Sequence, residues 1–243
     1  MNFFFNSKKK ITPLLRGGVD IHCHILPGLD DGAKTMEETR GMLQEYGNLG
    51  YKKIIATPHI LKGTYPNTKE TIFGRFKEIS QQLPDEMNLV YNAGAEYMLD
   101  EDFEIFLEEG NLLPLKDKYV LIEMSYFQQP ANLQQLVFKM LHKGFSPILA
   151  HPERYNFINN LEAFRQLKKM GCLFQLNLLS LTDHYGPMIK KKAFRLLKND
   201  LYDFMATDAH HVNHLKKIGE IAVPKRLFQK VEKLTSENAK VFM

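Results

Sequence analysis

The chain has 243 residues, 44% of them hydrophobic and 25% charged, with a net charge of +4. That leaves room for one large domain with a sizeable core, and the charge is too small and too dispersed to point to nucleic acid. Two cysteines, Cys23 and Cys172, cannot build a disulfide framework, and no apolar run approaches the roughly 20 residues of a membrane span.

Residues 1–18 read as an N-terminal tail ahead of a single domain over 19–243. The opening "MNFFFNSKKK" places its lysines after a short apolar run, the reverse of a secretory signal. A frayed end is the plain reading of it. The sharper one is a weak membrane-surface contact by Phe3, Phe4 and Phe5 with Lys8, Lys9 and Lys10. The expected location is therefore the cytoplasm, at the periphery of the inner membrane if that contact is made.

From residue 19 onward, short β-rich runs alternate with amphipathic stretches. Strands are expected at 19–23, 52–57, 88–96, 119–124, 146–150, 172–177 and 202–207. Between them lie helical patterns such as "MEETRGMLQEYGNLG" and "LEAFRQLKKMG", which end in glycine as helices prefer, and Thr35 with Glu38 resembles a capping box. Strict alternation over seven units implies a parallel sheet with right-handed crossovers, and that number usually closes into a barrel. An open doubly wound sheet is the alternative, but neither G-x-G-x-x-G nor a P-loop follows the first strand.

Residue types that ligate metals lie in or just after every strand but the sixth. In order they are His22, His24, His59, Glu96, Glu123, His151, Asp208 and His210. In a parallel barrel the carboxyl ends of the strands meet around one opening, so these distant residues converge there. His22 and His24 share a strand face by period two, as do Asp208 and His210. Taken singly, each is as well read as a buried core histidine, an ion-paired Glu123 or a helix-capping Asp208. Jointly, a buried group of carboxylates is costly without cations. With Asp31 the candidates number nine, too many for one ion, and their nitrogen and oxygen donors suit Mn²⁺, Fe²⁺ or Zn²⁺.

The "HC" of "VDIHCHILPGLDDG" suggests a cysteine phosphatase, but that chemistry needs an arginine six positions after the nucleophile. Leu29 follows Cys23 at that spacing and Leu178 follows Cys172, so Cys23 reads as wall packing. No G-x-S-x-G elbow offers a serine route.

The ordered set "DIHCHILPGLDDG", "TPH", "GAEY", "IEM", "AHPER" and "TDAHH" resembles the PHP (polymerase and histidinol phosphatase) superfamily. More narrowly it resembles the bacterial protein-tyrosine phosphatases of capsule and exopolysaccharide loci, the CpsB/CapC/YwqE family. The resemblance runs from about Val19 to His211. It implies an α/β fold, a distorted (β/α)7 barrel, with a trinuclear centre at the carboxyl ends of the strands. One metal would take His22, His24, Glu96 and Asp208; a second would share Glu96 and add Glu123 and His151; a third would take Asp31, His59 and His210. Mn²⁺ is the expected ion.

A metal-activated hydroxide would then attack phosphotyrosine, with Arg154 as the phosphate-binding cation. The implied substrate is the tyrosine cluster at the C-terminus of a bacterial tyrosine kinase. Lys216 and Lys217 stand where a second arginine would help. His142, His184, His211 and His214 are expected outside the ligand set, and the loop 60–70 brings Lys62 and Tyr65 over the mouth either as peptide contacts or as a plain connection. A histidinol-phosphatase-like enzyme and a non-catalytic kinase-binding scaffold are the alternatives; a PHP nuclease is disfavoured for want of a basic groove.

Overall fold

The computed structural model describes residues 7–83 and 85–243. Its elements run β1 (Lys8–Lys10), α1 (Thr12–Leu15), β2 (Val19–Asp20), α2 (Met36–Leu49), β3 (Lys53–Ala56), β4 (His59–Ile60) and α3 (Lys69–Gln82). Then come β5 (Val90–Ala93), β6 (Glu96–Met98), α4 (Glu101–Glu109), β7 (Tyr119–Glu123), α5 (Leu133–His142), β8 (Ser146–Ala150) and α6 (Leu161–Lys169). The chain finishes with β9 (Leu173–Asn177), α7 (Pro187–Lys198), β10 (Phe204–Ala206), α8 (Val212–Gly219), β11 (Ala222–Pro224) and α9 (Lys225–Phe242).

Two parallel sheets, ordered β10-β9-β8-β7-β6-β4 and β2-β3-β5, are the two parts of one barrel wall. The second strand expected at 52–57 is β3, and beyond Pro58, which has no N–H for the ladder, the wall resumes as β4. The expected third strand opens as a helical turn over Glu86–Leu89 and breaks at Gly94. A Cβ at Gly94 would stand 2.8 Å from the Leu115 side chain and 3.1 Å from its Cα, so the backbone passes too close for any other residue. Across both breaks the Gly94 N–H donates to the Ala56 carbonyl (2.8 Å) and the Glu96 N–H to the Pro58 carbonyl (3.1 Å). The wall closes where Asp208 N–H donates to the His22 carbonyl and His24 N–H to the Ala209 carbonyl, both at 2.9 Å. Seven strand positions thus form the barrel expected from the alternation, distorted as the resemblance implies.

The inward rows change character along the strands. Val19, Ile21, Ile55, Leu121, Ile148, Phe204 and Ala206 form one buried apolar cluster inside the wall. Two residues further toward the carboxyl end, on the same face, Leu121 gives way to Glu123 and Ala206 to Asp208. Apolar side chains fill one end and polar ones the other.

The amino end is sealed by the C-terminal helix. Phe242 of α9 joins the interior cluster, and Asn238 donates to the carbonyls of Val19 (3.2 Å) and Met205 (2.6 Å) while accepting from Met205 N–H. Beside it, the buried Asp20 carboxylate accepts from the Tyr46 hydroxyl at 2.6 Å and from Thr207 N–H at 2.9 Å, which ties first strand, last strand and α2 together.

The tail expected over 1–18 is corrected within the described residues. β1 pairs antiparallel with β11, and Ile11 and Leu15 are wholly buried against the domain. Lysine charge dominates the look of this stretch, but two apolar residues four apart bury one face of a short helical turn. Phe3, Phe4 and Phe5 lie outside the described residues. Thr35 does cap α2 by accepting from Glu38 N–H (3.3 Å), but the Glu38 carboxylate reaches back to Lys34 N–H rather than to Thr35. No described helix is long and apolar enough to cross a membrane.

Candidate metal centre

At the carboxyl end, His22 Nε2 lies 3.0 Å from Glu96 Oε2, 3.1 Å from His24 Nε2 and 3.3 Å from Asp208 Oδ1. All four residues are buried. The far nitrogens are anchored, His22 Nδ1 on Gln175 Oε1 (3.1 Å) and His24 Nδ1 on Asp30 Oδ2 (2.7 Å). Those partners take the Nδ1 protons, so each neutral ring presents its Nε2 lone pair inward. Two lone pairs facing each other at this separation repel unless a cation lies between them.

The "LPGLDDG" loop exists to hold this arrangement. It folds back so that Ala33 N–H donates to the His24 carbonyl (3.0 Å) and Gly32 N–H to Asp30 Oδ1 (2.8 Å). A Cβ on Gly32 would stand 2.1 Å from the His24 carbonyl oxygen, so no side chain fits there. Asp30, not Asp31, turns inward; Asp31 stays half-exposed at the mouth.

His59 joins from β4, its Nδ1 3.0 Å from Glu123 Oε1 and 3.1 Å from Glu96 Oε2. His151 Nε2 lies 3.2 Å from Glu96 Oε1 and 3.8 Å from Glu123 Oε2. Asp31 Oδ1 stands between His59 Nε2 (3.5 Å) and His210 Nε2 (3.4 Å). All nine sequence candidates therefore meet on one floor. The donor atoms of eight of them gather into three groups: His22, His24, Glu96 and Asp208; His59, Glu96 and Glu123; and His24, Asp31, His59 and His210. The first matches the expected set. In the second, His59 is grouped with the two carboxylates beside which His151 also stands, and in the third His24 is added.

Charge explains why these groups fit cations. Burial alone would push the Glu96 carboxyl up, but His22 and His59 outweigh it and hold the group well below the usual range. Asp208 is likewise held low, by His22 first and then by a hydrogen bond from His24. In return the imidazoles rise despite their own burial: Glu96 and then Glu123 push His59 up to about 9. Among these rings His22 and His24 are raised as well, by the carboxylates beside them. Even so, the buried Nδ1 atoms of His59 and His151 make no hydrogen bond. His59 Nδ1 is close enough to two carboxylates, but at angles no N–H satisfies. Hard oxygen donors with imidazole nitrogens, and no sulfur, suit divalent Mn, Fe or Zn.

Two of the candidate positions carry left-handed backbone, His151 at φ 36° and Asp208 at φ 50°. Neither is glycine, so the turns that aim these side chains hold local strain.

Above the floor opens a cleft of about 780 Å³, walled by Leu61, Met98, Tyr126, Phe127, Arg154 and Tyr185. Arg154 Nη1 donates to Asp208 Oδ2 at 3.0 Å, and Asn177 Nδ2 donates to the same oxygen at 2.6 Å. Phe127 at the lip is 91% exposed. His211 and His214 also line the cleft, in none of the three donor groups, because α8 starts immediately after the last donor motif. Lys216 and Lys217 do not line it; Lys217 Nζ approaches His184 Nδ1 instead (3.1 Å). Of the loop residues, Lys62 pairs with Asp102 (3.0 Å), while the Tyr65 ring stacks on His59. Cys23 is buried in the wall and burial pushes its thiol well up, so it is no nucleophile.

Sequence reasoning missed the anchors Asp30, Gln175 and Asn177, and the rings of Tyr126 and Tyr185. A signal was present for two of them: Gln175 and Asn177 alternate on the sixth strand, the one that carries no ligand type.

The sequence matches, over residues 18–242, the family described as capsular polysaccharide synthesis, CpsB/CapC. It is 34% identical over 197 residues to the tyrosine-protein phosphatase YwqE of Bacillus subtilis, covering 80% of this chain and 78% of that protein. It is 31% identical over 234 residues to the tyrosine-protein phosphatase CpsB of Streptococcus pneumoniae, covering 90% and 96%. The fold superposes with a TM-score of 0.79, at 30% identity over 92% of this chain and 93% of the other, on a chain from the crystal structures of YwqE and CpsB, described as unique metal-dependent tyrosine phosphatases.

Proposed function

Because the chain belongs to the CpsB/CapC capsular polysaccharide synthesis family, we propose that it is a metal-dependent protein-tyrosine phosphatase. Its substrate is the phosphotyrosine cluster in the C-terminal tail of a bacterial tyrosine kinase. The observation that carries the reading is the convergence of eight nitrogen- and oxygen-bearing residues in three groups, two of which share Glu96, with His151 beside Glu96, under a cleft containing Arg154.

His22, His24, Asp31, His59, Glu96, Glu123, His151, Asp208 and His210 are the proposed ligands, with Mn²⁺ the favoured ion. Divalent cations held there supply Lewis acidity and make water a nucleophile near neutral pH. Asp30 and Gln175 fix the tautomers of His24 and His22, so the donor set needs no rearrangement on loading. Arg154 offers N–H donors to the phosphoryl oxygens as charge moves toward the leaving phenolate. Water adds its oxygen to phosphorus, the bond from phosphorus to the tyrosine oxygen breaks, and a proton reaches the phenolate. The apolar wall formed by Leu61, Met98 and Phe127 suits a phenyl ring better than a short alkyl chain.

The test is hydrolysis of a phosphotyrosine peptide by metal-loaded protein, compared with phosphoserine peptide and histidinol phosphate. Chelation and His22→Ala should each abolish phosphotyrosine turnover, whereas Cys23→Ser should keep most of it. Loss with Cys23→Ser and survival of His22→Ala would overturn the mechanism. Preference for histidinol phosphate would move the substrate to small molecules, and a loaded but inactive protein would leave a kinase-binding scaffold.

A further inference from the structure

Arg154 is unusually confined. Its Cζ sits over the rings of Tyr126 and Tyr185, 4.7 and 4.3 Å from their centroids, while Nη1 is tied to Asp208. Its side chain is only 19% exposed, and among the described residues it makes no other hydrogen bond. A guanidinium has five N–H donors, so most of this buried group's hydrogen-bonding capacity is unused.

An arginine beside a carboxylate ordinarily closes into a two-pronged pair. That cannot happen freely here. Asp208 Oδ1 faces His22 and His24, and Oδ2 is shared with Asn177, which leaves Arg154 a single contact. Nothing in that one bond sets the orientation of the guanidinium plane. The two tyrosine rings do, because the negative face of each attracts the cation and their bulk limits its swing.

We propose that Tyr126 and Tyr185 are positioning residues for Arg154, holding the guanidinium beside Asp208 with its unused N–H edge toward the cleft for a phosphoryl group. The inference rests on the phosphatase reading above. It assigns the two tyrosines no proton transfer and no bond to phosphorus. Their role is to keep the cation from collapsing onto Asp208, a proposed ligand.

The two rings are not equivalent as probes. The Tyr185 hydroxyl accepts from Asn177 Nδ2 at 3.2 Å, so altering it also disturbs the Asn177 contact with Asp208. The Tyr126 hydroxyl makes no hydrogen bond among the described residues, so at Tyr126 the ring can be tested apart from the hydroxyl.

The experiment compares Tyr126→Phe with Tyr126→Leu in the Mn²⁺-loaded protein. It reads kcat and KM for para-nitrophenyl phosphate, the inhibition constant of inorganic phosphate, and metal content. Tyr126→Leu should raise both KM and the phosphate inhibition constant about tenfold, with a smaller fall in kcat and unchanged metal content. Tyr126→Phe, which keeps the ring, should restore both constants. In an Arg154→Ala background, Tyr126→Leu should add nothing further. Equal damage from Phe and Leu, or a full additional loss without Arg154, overturns the inference. Where Tyr126→Leu does not fold, Tyr126→Met keeps more of the volume without the ring and is read in the same cycle. A wild-type protein that hydrolyses no aryl phosphate defeats the phosphatase reading and this inference with it. A wild type that turns over while the ring-free variant matches it in every constant defeats this inference alone.

Discussion

The two ends of the barrel bury polar groups in opposite ways. At the amino end Asp20 is wholly buried, yet its oxygens are met by Tyr46 and Thr207, and Asn238 spends its amide on Val19 and Met205. At the carboxyl end the distances are as short, but donors and acceptors do not match. Ring nitrogens face one another, carboxylates crowd on Glu96, and the Nδ1 atoms of His59 and His151 have no hydrogen bond. A satisfied buried network stabilises and specifies the fold. A convergent set of carboxylates and imidazoles fits divalent cations instead, and it lies under an open cleft.

Glu96→Gln is the sharpest way to break this contrast, since Glu96 belongs to two of the donor groups. It should lower kcat/KM roughly 10³-fold, about 4 kcal/mol of transition-state stabilisation, with reduced metal occupancy by elemental analysis. Wild-type turnover from that variant would remove Glu96 from the centre.

Asp20→Ala probes the other end and should act on stability instead. Leaving the Tyr46 and Thr207 donors unpaired should cost about 3 kcal/mol, seen as a fall in Tm of about 10 °C. The folded fraction should retain wild-type kcat at low temperature. A catalytic loss without a change in Tm would mean that the two ends do not divide the work.

The smallest effect is a slope. In metal-free protein, Glu96 and Glu123 raise His59 from 6.5 to about 9 against the opposing effect of burial. A group raised on folding stabilises fully below its unfolded value and loses that contribution as pH rises through the folded one. Thermal scans should therefore show Tm of the metal-free protein dropping a few degrees between pH 6.5 and 9, and a bound divalent ion flattening the decline. An equally steep slope with metal present would argue that no cation replaces those protons.

Much of the fold was legible. Seven alternating units, with ligand types following the strands, sufficed for a parallel barrel with a polar mouth, because hydrophobic periodicity and chain alternation are local signals. Where the strands break was not legible: Gly94 is required by the approach of Leu115, a contact 21 positions away in sequence. Nor was the packing of Ile11 and Leu15, since their partners come from the far end of the chain. Asp31 was readable as a donor, but its neighbour Asp30, which anchors His24, was not distinguishable from it by residue type.

By itself, then, the sequence determined which residues are candidates to hold cations. Side chains able to bind cations are recognisable one at a time, and their order along alternating strands places them at one end. Only the tertiary structure decided how those residues are aimed: Gln175 and Asp30 orienting the imidazoles, Gly32 letting a loop fold onto His24, and Tyr126 and Tyr185 holding Arg154 in place. Orientation depends on contacts between segments distant in the chain, and a local pattern contains no record of them until the barrel has closed.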